Sequence, residues 1–435
     1  MSSQDSETGQ VAPTSGISRR TLLGAAGVGA ALVGTATAGV VAGRASAADS
    51  SHVLLQSPVP FRGERQAGII TEAQDRMHFA TFDVTSDRRE DLVDMLREWT
   101  HMAERMTRGE ETFKDGAVGL NPYSPPSDTG EALGLPASQL TLTIGFGPSL
   151  FLKDGRDRFG IAAQRPALLK DLPKFPNETM DPARSGGDIC IQACANDPQV
   201  AVHAVRNLAR VAFGTAAVRY SQLGFGRTSS TTRDQTTPRN LFGFKDGTNN
   251  LKAEDTGLLD KQVWVADGDG PAWMTGGTYL LARRIRMRIE SWDRTTLLEQ
   301  ERVIGRHKGS GAPIGLAEEF EPLNLDAVND EDEPLIDELA HVRLASPEHN
   351  NGIEMLRRGY NFTDGTDGFG HLDAGLFFIA FVRNPETQFI PLQSRLARSD
   401  LLNEYITHTG TGIFAVPPGI PEGDMDAYWG STLFS

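Results

Sequence analysis

The chain has 435 residues, 39% of them hydrophobic, which is enough for two or three ordinary domains with real cores. A formal charge of −15 and an isoelectric point near 5.1 exclude general binding to nucleic acid or an anionic membrane, because those partners demand a basic surface. With only two cysteines there is no disulfide scaffold.

Residues 1–47 read as a separate object. Ser18-Arg19-Arg20-Thr21-Leu22-Leu23 leads into an Ala/Gly/Val-rich run, and Ala45-Ser46-Ala47 follows. Twin arginine, weakly hydrophobic stretch and small-residue cleavage site form an export signal for the twin-arginine machinery; the alternative is an uncleaved anchor of about 20 residues. The expected location is therefore extracytoplasmic: periplasm, cell envelope or secreted. That route carries proteins that fold before crossing, commonly around a cofactor. Residues 48–67, polar and with Pro58 and Pro60, read as a flexible lead-in, with order expected from Gly68.

From there the pattern alternates between periods of 2.0 and 3.6. Residues 77–84 alternate like a strand, and 88–108 carry Leu92, Val93, Leu96, Trp99 and Met102 at helical spacing. Strands are expected at 140–146, 189–195 and 218–224, and Asp197-Pro198 opens a helix over 199–213. Cys190 and Cys194 fall on one face of a strand, too far apart to bond, and read as small buried side chains. The second half repeats the theme, with a strand at 277–289, a helix at 293–304, an apolar strand at 375–382, helices within 385–406 and a strand at 412–416. The fold class is α+β: tandem ferredoxin-like domains over 68–225 and 226–435, each an antiparallel sheet with helices packed on it.

Arg239 to Asn250 is the stretch most unlike a packed element. Gly243 and Gly247 bracket Asp246, and Asn249-Asn250 closes the run. Alone it favours a surface Asx-turn; with a partner elsewhere, the glycines would let main chain lie against a flat group with Asp246 held over it. The nine histidines form no His-x-His or His-x-x-x-His pair, so a zinc or copper cage is poorly supported, whereas a single axial histidine for haem is allowed. His341 stands out, with Arg343 beside it and Arg357 sixteen residues on, because a dianionic porphyrin needs cationic partners; alone it too reads as a hydrogen-bonded turn residue. Trp264, Trp273, Trp292, Tyr360, Tyr405 and Trp429 are read as core packing.

Four motifs in order resemble the dye-decolourising peroxidase family of haem proteins: Gly243-Phe244-Lys245-Asp246-Gly247-Thr248-Asn249-Asn250, Gly305-Arg306-His307-Lys308, His341-Val342-Arg343-Leu344-Ala345-Ser346-Pro347, and Leu356-Arg357-Arg358-Gly359-Tyr360. The resemblance, running from about residue 65 to the end, implies one haem b per chain, held mainly by the C-terminal domain. It also implies His341 as axial iron ligand, Asp246 as distal acid–base residue and Arg357 as distal arginine. Gly243, Phe244, Lys245, Gly247, Thr248 and Arg343 would be further haem contacts. Glu404 is expected to accept the Nδ1 proton of His341, although Asp400 is close by. The implied activity is oxidation of bulky phenolic or dye-like reductants by hydrogen peroxide through a ferryl intermediate. Deferrochelation, ferrous-iron oxidation, a non-catalytic haem carrier and a non-haem exported binding protein are the alternatives, and homo-oligomerisation is left open.

Aspartate titrates near 4 in water. An aspartate base should therefore stay competent in mild acid, giving an acidic activity optimum. A rate of reaction with peroxide that collapsed between about pH 7 and 5 would count against Asp246 as the base.

Overall fold

Two β-α-β-β-α-β runs follow one another in the computed structural model, which describes residues 57–119 and 121–435. The expected export signal at 1–47 lies outside the described residues. The first run is β1 (Arg76–Val84), α1 (Arg89–Met106), β2 (Thr141–Phe146), β3 (Ile189–Ala195), α2 (Pro198–Ala212) and β4 (Ala216–Arg227). The second is β5 (Thr278–Met287), α3 (Leu297–Ile304), α4 (His341–Ala345), the two-residue β6 (Leu356–Arg357), β7 (Tyr360–Thr366), β8 (Leu372–Val382), α5 (Phe389–Ser399) and β9 (Ile406–Val416).

The first sheet has the order β2-β3-β1-β4 and the second β7-β8-β5-β9, all antiparallel. This is one ferredoxin-like arrangement used twice. Short pairings join the two: Phe146 with Ala415 between β2 and β9, and Phe225 with Asn361 between β4 and β7. The circuit closes like a barrel, and β6 hangs on the far part of β8.

Strand alternation then sorts side chains into an inner and an outer layer. Phe79, Cys190, Cys194, Tyr360, Phe377 and Phe414 meet inside the circuit, where Phe79 lies 5.0 Å from Phe377 and 6.2 Å from Phe414 between ring centroids. Both cysteines are free and buried, as expected. On the outer face of the first sheet, α1 buries Leu92, Leu96, Trp99, Met102 and Met106, spaced at three to four residues. Asp197 caps α2 by accepting from Gln199 N at 2.7 Å, with Pro198 in the first turn. On the outer face of the second sheet, β8 presents Leu376 and Phe378 to a cavity while Phe377 and Ile379 point inward.

Several expectations need correction. Residues 57–67 are not a loose lead-in: Phe61 packs on Trp429, Arg62 pairs with Glu104 at 3.0 Å, and Gln66 donates to Ile144 O and Pro417 O. The helix expected at 293–304 starts only at Leu297, because Thr296 caps it by accepting from Glu299 N, and a separate short turn occupies Ile289–Trp292. Strand β7 escaped sequence reading because Asn361, Asp364 and Gly365 dilute its β signal. The six aromatics read as core are all buried.

Phe79 joins the two sheets through one ring. Phe79→Ala should destabilise the protein by about 3–5 kcal/mol in denaturant unfolding, and a change under about 1 kcal/mol would show that the sheets do not share this core.

Candidate functional site

The stretch from Arg239 folds into a hairpin-like turn: Arg239 pairs with Lys245 across an isolated bridge, and Asn240 N donates to Phe244 O at 3.1 Å. Gly243 at φ +81° makes the reversal that other residues resist. Phe242 and Phe244 root the turn against Trp292, at 4.4 and 5.9 Å between centroids. Neither glycine acts quite as expected. A Cβ on Gly247 would sit 2.9 Å from Ser229 Cα, and one on Gly243 would meet Lys308 Cε at 2.8 Å. The glycines thus seat the loop on its own protein neighbours, and Gly243 does not line the cavity, whereas Phe244, Lys245, Asp246, Gly247 and Thr248 do.

Asp246 is held from both ends. Its N–H donates to Pro238 O at 2.9 Å, Asn240 Nδ2 donates to Oδ2 at 3.2 Å, and Arg357 Nη1 donates to Oδ1 at 3.2 Å. Arg357 reaches it from β6, where the strand period sends adjacent arginines to opposite sides. Arg358 turns away from the cavity, fully buried, to donate to the carbonyls of Thr71 and Glu72 and to Gln74. Sequence alone offers two neighbouring arginines; the pleat makes one a cavity residue and the other an anchor.

His341 opens α4 and faces the same cavity. Its Nδ1 lies 2.6 Å from Asp400 Oδ2, and Asp400 Oδ1 accepts from Leu402 N at 2.8 Å. The carboxylate partner is therefore Asp400 and not Glu404, which is exposed on the short turn after α5. One aspartate can do both jobs because it caps that turn with one oxygen and keeps the other for the imidazole. The His341 side chain is half-buried, 34% accessible, and lines the cavity. Burial opposes charging it, but the charge and hydrogen bond of Asp400, with the charge of Asp246, win and raise its pKa; Arg357 acts the other way. Asp246, Arg357 and His341 all line the one cavity.

Arg343 is also corrected: it donates to Leu325 O and Ile336 O and does not line the cavity. Arg306 lines it instead, buried, donating through Nη1 to Gly311 O and Glu319 O. Beneath the loop, Lys245 pairs with Glu319, which also accepts from Thr248 at 3.1 Å. Burial disfavours charge on Glu319, yet Lys245, Thr237 and Thr248 outweigh it and hold its pKa below the ordinary value. A second ring, His408, lines the inner wall, and burial helped by Arg283 lowers it to about 3, so it stays neutral.

These residues fit a haem. With Nδ1 engaged by Asp400, Nε2 is the ligating atom His341 has free. Ile285, Met287, Ile304, Leu376, Leu396 and Leu402 give the cavity apolar walls, and Arg306 and Lys245 supply cations at its edge. Among the described residues there is no group of three or more His, Cys, Asp and Glu side chains to cage a bare metal. Asn240 and Glu319 are site residues that the sequence reading did not single out; Asn250 and Arg306 stood there only inside family motifs, and Asp400 only as a neighbour of Glu404.

Comparison with known proteins identifies the family. Residues 66–226 match the family described as Dyp-type peroxidase, N-terminal, and residues 237–421 match Dyp-type peroxidase, C-terminal. A dye-decolorizing peroxidase of Thermobifida fusca is 42% identical over 364 residues, covering 81% of this chain and 80% of that protein. A deferrochelatase of Escherichia coli K12 is 38% identical over 379 residues, covering 86% of each. Ferric DtpA from Streptomyces lividans superposes with a TM-score of 0.78 at 36% identity, covering 87% of this chain and 98% of that one.

Asp400→Asn should weaken haem retention by about 10–100-fold in competition with apomyoglobin, and Glu404→Gln should leave it unchanged. The reverse ranking would restore Glu404 as the partner.

Proposed function

Because the chain belongs to the Dyp-type peroxidase family and is a haem-dependent peroxidase, we propose that Asp246 and Arg357 work on peroxide in the cavity, where His341, backed by Asp400, would hold the haem iron. The observation that carries this is the Asp246–Arg357 pair, 3.2 Å apart, sharing one apolar cavity with an imidazole whose Nδ1 is already engaged.

Haem, when bound, supplies the electrons that break the O–O bond. The chain handles protons and charge. An Asp246 oxygen takes the proton from the near oxygen of hydrogen peroxide and returns it to the far one, which leaves as water. Arg357, 3.2 Å from Oδ1 of Asp246, stabilises negative charge on the departing oxygen before that proton arrives, as an oxyanion site does. Asn240 holds Oδ2 of Asp246, so the carboxylate has little freedom to rotate away. Asp400 keeps the Nδ1 proton of His341 and makes the ring a more electron-rich ligand. Leu376 and Phe378, projecting from β8, keep bulk water from the peroxide. A reducing substrate then returns two electrons; bulky phenolic or dye-like compounds are the class we assign.

The deferrochelatase likeness supports a second reading, release of iron from haem, which would appear as iron-free porphyrin after incubation with haem. Arg19-Arg20 and Ala45-Ser46-Ala47 support export by the twin-arginine machinery and an extracytoplasmic location.

Asp246→Ala and Arg357→Leu should each retain haem yet slow the reaction with peroxide by about 10²–10⁴-fold in stopped flow. Loss in the arginine variant alone would move the proton transfer to water steered by Arg357. Wild-type rates in both would remove the pair from the mechanism.

A further inference from the structure

The asparagine that ends the loop has no part in the proton chemistry, yet it is only 6% exposed and its whole side-chain amide is engaged. Asn250 Oδ1 accepts from Arg357 N at 2.7 Å, and Nδ2 donates to Arg357 O at 2.9 Å and to Ser230 O at 3.0 Å. Two carbonyls face Nδ2 and an N–H faces Oδ1, so only one orientation of the amide satisfies all three partners.

Strand β6 explains why such a contact exists. It is two residues long and paired on one side only, to β8. Arg358 N bonds toward β8, to Ile379 O at 2.8 Å, so the N–H and C=O of Arg357 face the open edge. A side-chain amide has the donor and acceptor of a peptide group, and Asn250 stands where the next strand would be. The loop that supplies it also carries Asp246, and Asn250 N closes a turn on Gly247 O at 3.1 Å. Arg357 is therefore tied to one loop twice: by its main chain to Asn250 and by its guanidinium to Asp246.

We propose that Asn250 is a positioning residue for Arg357, fixing the main chain of β6 so that the guanidinium and the Asp246 carboxylate keep one geometry over the cavity. This rests on the roles assigned above to Asp246 and Arg357. An unpinned two-residue edge strand can shift by a fraction of an ångström, and a misplacement of about 1 Å at a reacting centre can cost about 10²-fold in rate.

Removing Asn250 also bares two main-chain groups, so lowered stability alone would prove nothing about positioning. The test uses haem-loaded wild type, Asn250→Ala, Arg357→Leu and the double variant, reading kcat and KM for peroxide and the dissociation constant of cyanide, an anionic probe of the distal side, from the Soret band. Asn250→Ala should lower kcat by about 10–100-fold and weaken cyanide, and should add less than about 2-fold in the Arg357→Leu background, because its effect runs through that arginine. Equal losses in both backgrounds, or wild-type kcat and cyanide affinity in Asn250→Ala, overturn the proposal. Wild-type behaviour of Arg357→Leu overturns the assignment beneath it, a distinguishable result. If Asn250→Ala does not fold, Asn250→Ser, whose small side chain keeps one hydroxyl beside the main chain of Arg357 and sets no carboxylate against the two carbonyls, carries the same comparison.

Discussion

Each strand of the second sheet must satisfy two faces at once, and the site depends on that constraint. Phe377, Ile379 and Phe381 fill the space inside the closed circuit, so Leu376 and Phe378 are left to wall the cavity. Likewise β5 gives Leu280 and Ala282 to the interior and Arg283, Ile285 and Met287 to the cavity side. A slip of one residue would exchange these sets. The shared inner core around Phe79 thus fixes the register on which cavity shape depends, although no inner residue touches the chemistry.

The chemistry proposed here sits on irregular elements held against this frame. A turn rooted on Trp292 carries Asp246, an edge fragment pinned by a side chain carries Arg357, and a five-residue helix backed by Asp400 carries His341. Acid acts on catalysis and on the fold in different senses. The proposed carboxylate base favours activity in mild acid. Burial, however, lowers His78 from 6.5 to about 4, so between those values the unfolded chain binds a proton that the folded chain does not, and stability falls as pH falls. The useful acid range is bounded by the fold, not only by the active site.

Much of the architecture was legible because long periodic segments state their own faces. The stripe of Leu92, Leu96, Trp99 and Met102 and the run over Ile189–Ala195 needed no tertiary information. The Asp246, Arg357 and His341 trio followed from family motifs, and no local pattern would have chosen Arg357 over Arg358. The failures share a cause. Sequence favours Glu404 with Asp400 close by, and only the 2.6 Å contact of His341 Nδ1 with Asp400 Oδ2 shows which carboxylate faces the ring. Arg343 looked suited to a porphyrin by proximity along the chain, but α4 turns it toward the carbonyls of Leu325 and Ile336. Asn250 is invisible for the same reason: its partner is the main chain of a residue more than a hundred positions away.

In the arrangement proposed, one cavity would hold haem iron through His341 on one side and present Asp246 with Arg357 on the other. The most direct measurement is a crystal structure of the haem-loaded protein. The account predicts iron bonded to His341 Nε2, Asp400 on Nδ1, and Asp246 and Arg357 together on the opposite face of the porphyrin. Iron bonded to any other side chain, or Asp246 on the same face as His341, would contradict it.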